Sequence, residues 1–165
     1  MDFNTLVVTF REKMVERIRL VPDQHHLRDV GQLVDGRYFW IDLQLNTEGH
    51  ETRDFIATYT FNADGDLLDH EICDLGLRSS SSAQHAANAV MAKRKQLKIK
   101  RNLLGRQKRC SFWVKPFSIE AFGLSFGLVL REQEEGEMAG EELVDAMPGC
   151  TLMFYPPWPD GSYDT

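Results

Sequence analysis

The sequence predicts a single α+β domain over residues 1–165, a mostly antiparallel, curved sheet of about 6–8 strands with two main helices packed on it. Three observations predict this. Segments with apolar residues at every second position recur between Leu33 and Tyr155. The stretches 3–20 and 82–96 instead carry apolar residues at three- and four-residue spacing, the period of a helix with one buried face. A chain of 165 residues also fits one core, since a domain of this size buries roughly 70% of its unfolded surface.

Taken in order, Phe3, Leu6, Val7, Phe10, Met14, Ile18 and Val21 form the stripe of the first helix, with Arg11, Glu12, Glu16 and Arg19 opposite and Pro22 as its stop. Asp35-Gly36 is a two-residue hairpin signal, after which Phe39, Ile41, Leu43 and Leu45 alternate with Tyr38, Trp40, Asp42 and Gln44. Thr47-Glu48-Gly49 suits a three-residue loop with glycine in the left-handed position. Phe55 to Phe61, Asp64-Gly65 and Leu67 to Cys73 make a further hairpin. Pairing Ala63 with Asp66 sets Phe61 against Leu68, Tyr59 against His70 and Ala57 against Ile72, with Thr60 facing Asp69 and Thr58 facing Glu71. This register separates an apolar from a polar face, and a slip of one residue would destroy the separation.

Ser81 followed by Gln84 has the form of a capping box and opens the second helix through Ala83, Ala86, Ala87, Val90 and Met91. Residues 96–104 fit either its continuation or an edge strand, and Gly105 ends the element. Cys110 to Val114 reads as a strand. Ile119 to Arg131 reads as one long strand around which the rest packs, with Phe122, Leu124, Phe126, Leu128 and Leu130 on its buried face. Gly123 and Gly127 on its other register predict that a ring or a backbone approaches closely there. Leu143 to Met147 and Cys150 to Tyr155 form a last hairpin about Pro148-Gly149, placed as a type II turn needs. The tail, 156–165, is rich in proline and aromatic residues and is expected to be irregular.

Composition excludes several classes. Cys73, Cys110 and Cys150 are odd in number and far apart, which argues against a disulfide framework or zinc site and for reduced thiols in a cytosol. No run approaches the roughly 18 apolar residues of a membrane span, and the N-terminal apolar run is too short for a signal peptide; a cytoplasmic location is expected. Gly123-Leu124-Ser125-Phe126-Gly127 matches G-x-S-x-G, yet Ser125 falls in a strand and every histidine precedes it, contrary to the strand-turn-helix setting of a nucleophile elbow. Asn62, Asp64 and Asp66 imitate the start of a calcium loop but lack its glycine position and its closing glutamate. No metal site or cofactor is expected, nor a phosphate-binding glycine loop.

Net charge is −6, but nine of the nineteen bases lie between Lys93 and Arg109 with no acid among them, leaving ten bases against twenty-five acids elsewhere. Lys93, Arg94, Lys98, Arg101, Arg106, Lys108 and Arg109, with Trp113 beyond, combine charge and stacking as single-stranded nucleic-acid binders do. The overall pI of about 5.4 argues the other way. His70, expected on an apolar face beside Tyr59, would be the centre of an enzyme pocket in a third reading. The tail offers Tyr155, Trp158, Asp160 and Tyr163 as a protein-binding patch, against the plainer reading of a segment laid over an open sheet edge. No coherent catalytic set emerges. The expectation is a small acidic intracellular domain that binds another protein, of the immunity-type antitoxin or chaperone-like adaptor kind, with nucleic-acid binding as the alternative.

Overall fold

The computed structural model describes residues 15–78, 107–133, 135–136 and 140–165. Twelve strands run through them, and no α-helix occurs among the described residues. Over the described residues the expected α+β architecture is thereby corrected to a β one of three antiparallel sheets, with no pair of helices packed on a sheet. The helix expected over 82–96 and the start of that over 3–20 lie outside the described residues. Where the first helix should end, β1 (Ile18–Leu20) is instead a strand, pairing antiparallel with β7 (Phe112–Val114) as Ile18↔Val114, Arg19↔Trp113 and Leu20↔Phe112. Ile18 and Leu20 both enter the core while Arg19 stays out, a two-residue period that the helical reading absorbed into its stripe.

The first sheet is antiparallel and five-stranded. It is built from β2 (Val30–Leu33), β3 (Tyr38–Glu48), β4 (Glu51–Phe61), β5 (Leu67–Arg78) and β6 (Gln107–Arg109), in the order β5, β4, β3, β2, β6. The expected pairings Tyr59↔His70, Ala57↔Ile72, Thr58↔Glu71 and Thr60↔Asp69 are present. A bulge between Thr60 and Phe61 moves Phe61 from Leu68 to Leu67, and the turn Asp64-Gly65 seats its glycine against β7, with Lys115 N donating to the Gly65 carbonyl at 2.9 Å. The loop between β3 and β4 has two residues, Gly49-His50, rather than three, so Glu48 pairs directly with Glu51.

The second sheet contains β8 (Phe117–Ala121), β9 (Leu124–Glu132), β10 (Glu142–Met147), β11 (Met153–Phe154) and β12 (Tyr163–Asp164), in the order β12, β11, β10, β9, β8. The long strand expected over 119–131 is broken into the β8–β9 hairpin. Phe122 (φ +54) and Gly123 (φ +72) form its two-residue turn, the double positive φ of a type I′ geometry. Phe122 therefore leaves the buried face and is 56% exposed, while Phe126 and Leu128 remain in the core. Gly127 answers the expected close approach: a Cβ there would lie 2.3 Å from the Phe117 carbonyl oxygen and 2.9 Å from its ring. The last hairpin forms with Val144↔Phe154, but the left-handed residue of its loop is Cys150, not Gly149, so the type II turn is not adopted. Gly149 serves close packing instead, since a Cβ would meet the Leu45 carbonyl at 2.6 Å.

The two sheets share one core. Odd residues of β4 meet β8 and β9 through ring contacts: Phe55–Phe126 (centroids 5.1 Å apart), Tyr59–Phe117 (4.8 Å) and Phe61–Phe117 (5.5 Å). The β1–β7 ribbon adds Ile18, Leu20, Phe112 and Val114 to the same cluster. A second cluster, Leu33, Phe39, Ile41 and Ile56, occupies the opposite face of the first sheet, so β3 is buried on both sides and only Leu43 of its apolar register is open. The tail is not wholly irregular. Trp158–Asp160 form a 3-10 turn, and β12 closes the edge of the second sheet beside β11.

Candidate functional site

The strands of sheet one run on past those of sheet two at the end where β3 turns into β4, and this difference opens a cleft among the described residues. The inner face of β4 runs from core into the open: Tyr59, Ala57 and Phe55 are buried, then Arg53 and Glu51 continue the same register beyond the cover of the other sheet. Asn46 and Glu48 do so on β3. A cleft of about 540 Å³ results, lined by Asn46, Glu48, Glu51, Arg53, Asp74 and Leu77 on one wall and by the β8–β9 turn with Leu124 on the other.

Its apolar part is Phe122, whose ring lies 5.7 Å from that of Phe55 and so extends the core outward, with Leu77 47% exposed across from it. Its charged part is mostly acidic. Arg53 is engaged by Asp74 at 2.6 Å. Glu48 and Glu51 stand directly opposite one another in the ladder, a like-charge pair on one face. Beside the cleft, on the other face of β4, buried Asp54 accepts two hydrogen bonds from Arg78, at 2.6 and 3.0 Å. Together these pairs fix β4 and β5 beneath the cleft.

Other sequence-derived candidates are dispersed. Lys93, Arg94, Lys98, Arg101 and Arg106 lie outside the described residues. Lys108 and Arg109 are exposed on β6, where an Arg109 Nη2–H donates to the Asp23 carbonyl. Trp113 is half-buried on β7 beneath the Arg17 guanidinium, 5.5 Å from its ring. His70 is paired with Tyr59 in the ladder but exposed, whereas the Tyr59 hydroxyl is buried and finds no hydrogen-bond partner among the described residues. Ser125 donates to Glu120 across the hairpin. No group of three or more metal-ligating side chains occurs among the described residues, and Asn62, Asp64 and Asp66 organise a turn: Asn62 Oδ1 accepts from Asp64 N at 3.0 Å and Asp66 N at 2.9 Å.

In the tail, Trp158 and Tyr163 pack against the shared core, Tyr155 is half-buried and Asp160 is exposed. Tyr163 donates its hydroxyl to Asp23, whose other oxygen accepts from His25 N (2.8 Å) and Leu27 N (3.0 Å). Burial and this bond push Tyr163 up to about 12. Burial raises Asp23, but hydrogen bonds from Tyr163 and the two amides outweigh it and hold the carboxyl below its ordinary value.

Sequence reasoning missed the cleft because it read Phe122-Gly123 as strand. The available signal was the switch of the apolar register across that dipeptide, from odd positions before it (Phe117, Ile119 and Ala121) to even positions after it (Leu124, Phe126 and Leu128), which a two-residue turn brings face to face. No helix among the described residues is long and apolar enough to cross a membrane. Comparison with protein-family models, with characterised proteins and with solved structures finds no match to this chain.

Proposed function

We propose that this chain is an acidic intracellular binding domain that engages another protein, and that the cleft around Phe122 is the surface it uses. One observation carries the reading: a phenylalanine occupies the first position of a tight turn at φ +54 with more than half of its surface in water. That position favours asparagine, aspartate or glycine, and an L-residue without a compensating polar side chain is strained there by roughly 1–2 kcal/mol. Exposing the ring adds a solvation cost. Contact with Phe55 offsets part of both, but leaves the residue 56% exposed.

Exposed aromatics rimmed by polar groups are the anchors of protein interfaces. The rim carries Glu48, Glu51 and Asp74 against a single arginine, and the chain as a whole is at −6. The complementary partner is a basic protein segment with an apolar anchor, and charge of this kind speeds the encounter. The role of an immunity-type antitoxin or chaperone-like adaptor fits that chemistry.

The test places a photo-crosslinking phenylalanine analogue at position 122, identifies the captured protein by mass spectrometry, and measures its purified form against the parent chain and Phe122→Ser. A partner bound at least tenfold more weakly by Phe122→Ser, with affinity falling as salt rises, supports the proposal. Capture of nucleic acid alone, absence of any captured protein, or equal binding by Phe122→Ser overturns it.

A further inference from the structure

We infer that the cleft receives an arginine side chain of the partner, its guanidinium stacked on Phe122 and paired with the Glu48–Glu51 carboxylates. This rests on the proposed binding role and specifies the group recognised. The ladder sets Glu48 and Glu51 opposite each other across a two-residue loop, so both side chains project from the inner face of the first sheet. Like charges so placed repel. Among the described residues no ion pair engages either one: the arginine of the cleft, Arg53, is held by Asp74 at 2.6 Å. Glu48 accepts only a long contact from Asn46 Nδ2, at 3.4 Å.

A cation entering between the two carboxylates converts this repulsion into attraction. The facing wall decides which cation fits. It carries no oxygen ligand, as a divalent metal would require, but the exposed ring of Phe122 with Leu124, while Asp74 on the glutamates' own wall is taken by Arg53. A planar, weakly hydrated guanidinium stacks on an aromatic face and offers paired donors to carboxylates, whereas a compact ammonium keeps its water. Its methylene stem has apolar surface to lie along, and the cleft of about 540 Å³ is open enough to admit a side chain from a docked surface. Charge complementarity, an apolar floor and a stacking ring thus converge on a single residue type.

The test is a titration of the isotopically labelled chain with N-acetyl-arginine amide and with its neutral isostere N-acetyl-citrulline amide, followed by backbone NMR. Arginine is expected to shift the amides of Glu48, Gly49, Glu51, Phe122 and Gly123 with a millimolar dissociation constant, at least fivefold tighter than citrulline. The Glu48→Gln/Glu51→Gln double variant should lose that difference while its melting temperature is unchanged or higher, because the repulsion is gone. Phe122→Leu should weaken arginine binding while keeping an apolar floor. Equal binding of the two probes, shifts confined to another surface, or undiminished preference in the double variant overturns the inference. A partner crosslinked through position 122 that shows no arginine preference would reject this inference and leave the binding role standing.

Discussion

Asp42 shows how a single side chain is tuned by the layer it occupies. It lies on the inner face of β3, fully enclosed, and accepts from Gln44 Nε2 at 2.7 Å. Gln44 is itself committed to the opposite sheet: Nε2 also donates to Thr151 Oγ1 at 2.9 Å, and Oε1 accepts from Gly149 N at 3.0 Å. One amide therefore offers the carboxyl little compensation for its loss of water, and burial pushes Asp42 up to about 7 despite that bond. Because this lies above the ordinary carboxylate value of 3.8, the native state binds a proton between those two values that the unfolded chain does not. Its contribution to stability is greatest below about pH 4 and is lost as pH rises toward 7, by on the order of 4 kcal/mol. Asp42→Asn keeps an acceptor for Gln44 and removes the charge. It should melt at a higher temperature than the parent at pH 8 and flatten the decline between pH 5 and pH 8; parallel melting curves for the two proteins across that range would refute this account. The sequence shows Asp42 and Gln44 alternating with Phe39 and Ile41, which is how a half-solvated strand reads. It could not show that β3 is covered on both faces, because covering is a property of the partner sheet and not of the strand's own pattern.

At the scale of the element, the β8–β9 hairpin contains glycines needed for different reasons. Gly127 sits at φ +132 with the Phe117 carbonyl and ring against its missing side chain. Gly123 needs only its left-handed φ, for nothing lies within 4 Å of a Cβ there. Urea unfolding should therefore find Gly127→Ala destabilised by about 3 kcal/mol or more, from strain together with overpacking, and Gly123→Ala by about 1 kcal/mol. Comparable losses would mean that the close approach to Phe117 relaxes freely. Phe122→Asn is the more telling change, since it creates the Asn-Gly pair that this turn geometry favours. Its stability should equal or exceed that of the parent while binding through the cleft falls at least tenfold, the separation expected when a residue is retained for recognition rather than folding. The β4–β5 hairpin was legible because Asp-Gly marks its turn and the flanking faces differ sharply in polarity. The β8–β9 turn was not, because phenylalanine is a strand former and its presence masked the break. The end of the first expected helix failed for a related reason: Ile18 and Leu20 satisfy a two-residue period that reading the longer stripe passed over.

For the whole molecule, the shared aromatic core decides whether the parts unfold together. Phe55, Tyr59 and Phe61 of the first sheet meet Phe117 and Phe126 of the second, Tyr38 and Phe61 meet Phe112 of the ribbon at 5.0 and 5.5 Å, and Trp158 and Tyr163 of the tail pack on the same cluster. That a sizeable core exists was legible from length and apolar content; that it lies between two sheets was not, because alternation shows which residues of a strand are inward without showing what faces them. The three tryptophans report on different regions, Trp40 in the core, Trp113 on the ribbon and Trp158 at the tail. Phe126 is fully buried and edge-on to Phe55, so Phe126→Ala should cost about 3–5 kcal/mol. If the core couples every part, single-tryptophan versions of parent and variant will lose fluorescence and far-UV dichroism at coincident urea midpoints, all shifted by the same amount. A Trp158 transition that stayed in place while that of Trp40 moved would show the tail melting independently, and Tyr163 with Asp23 would then be its anchor rather than the core.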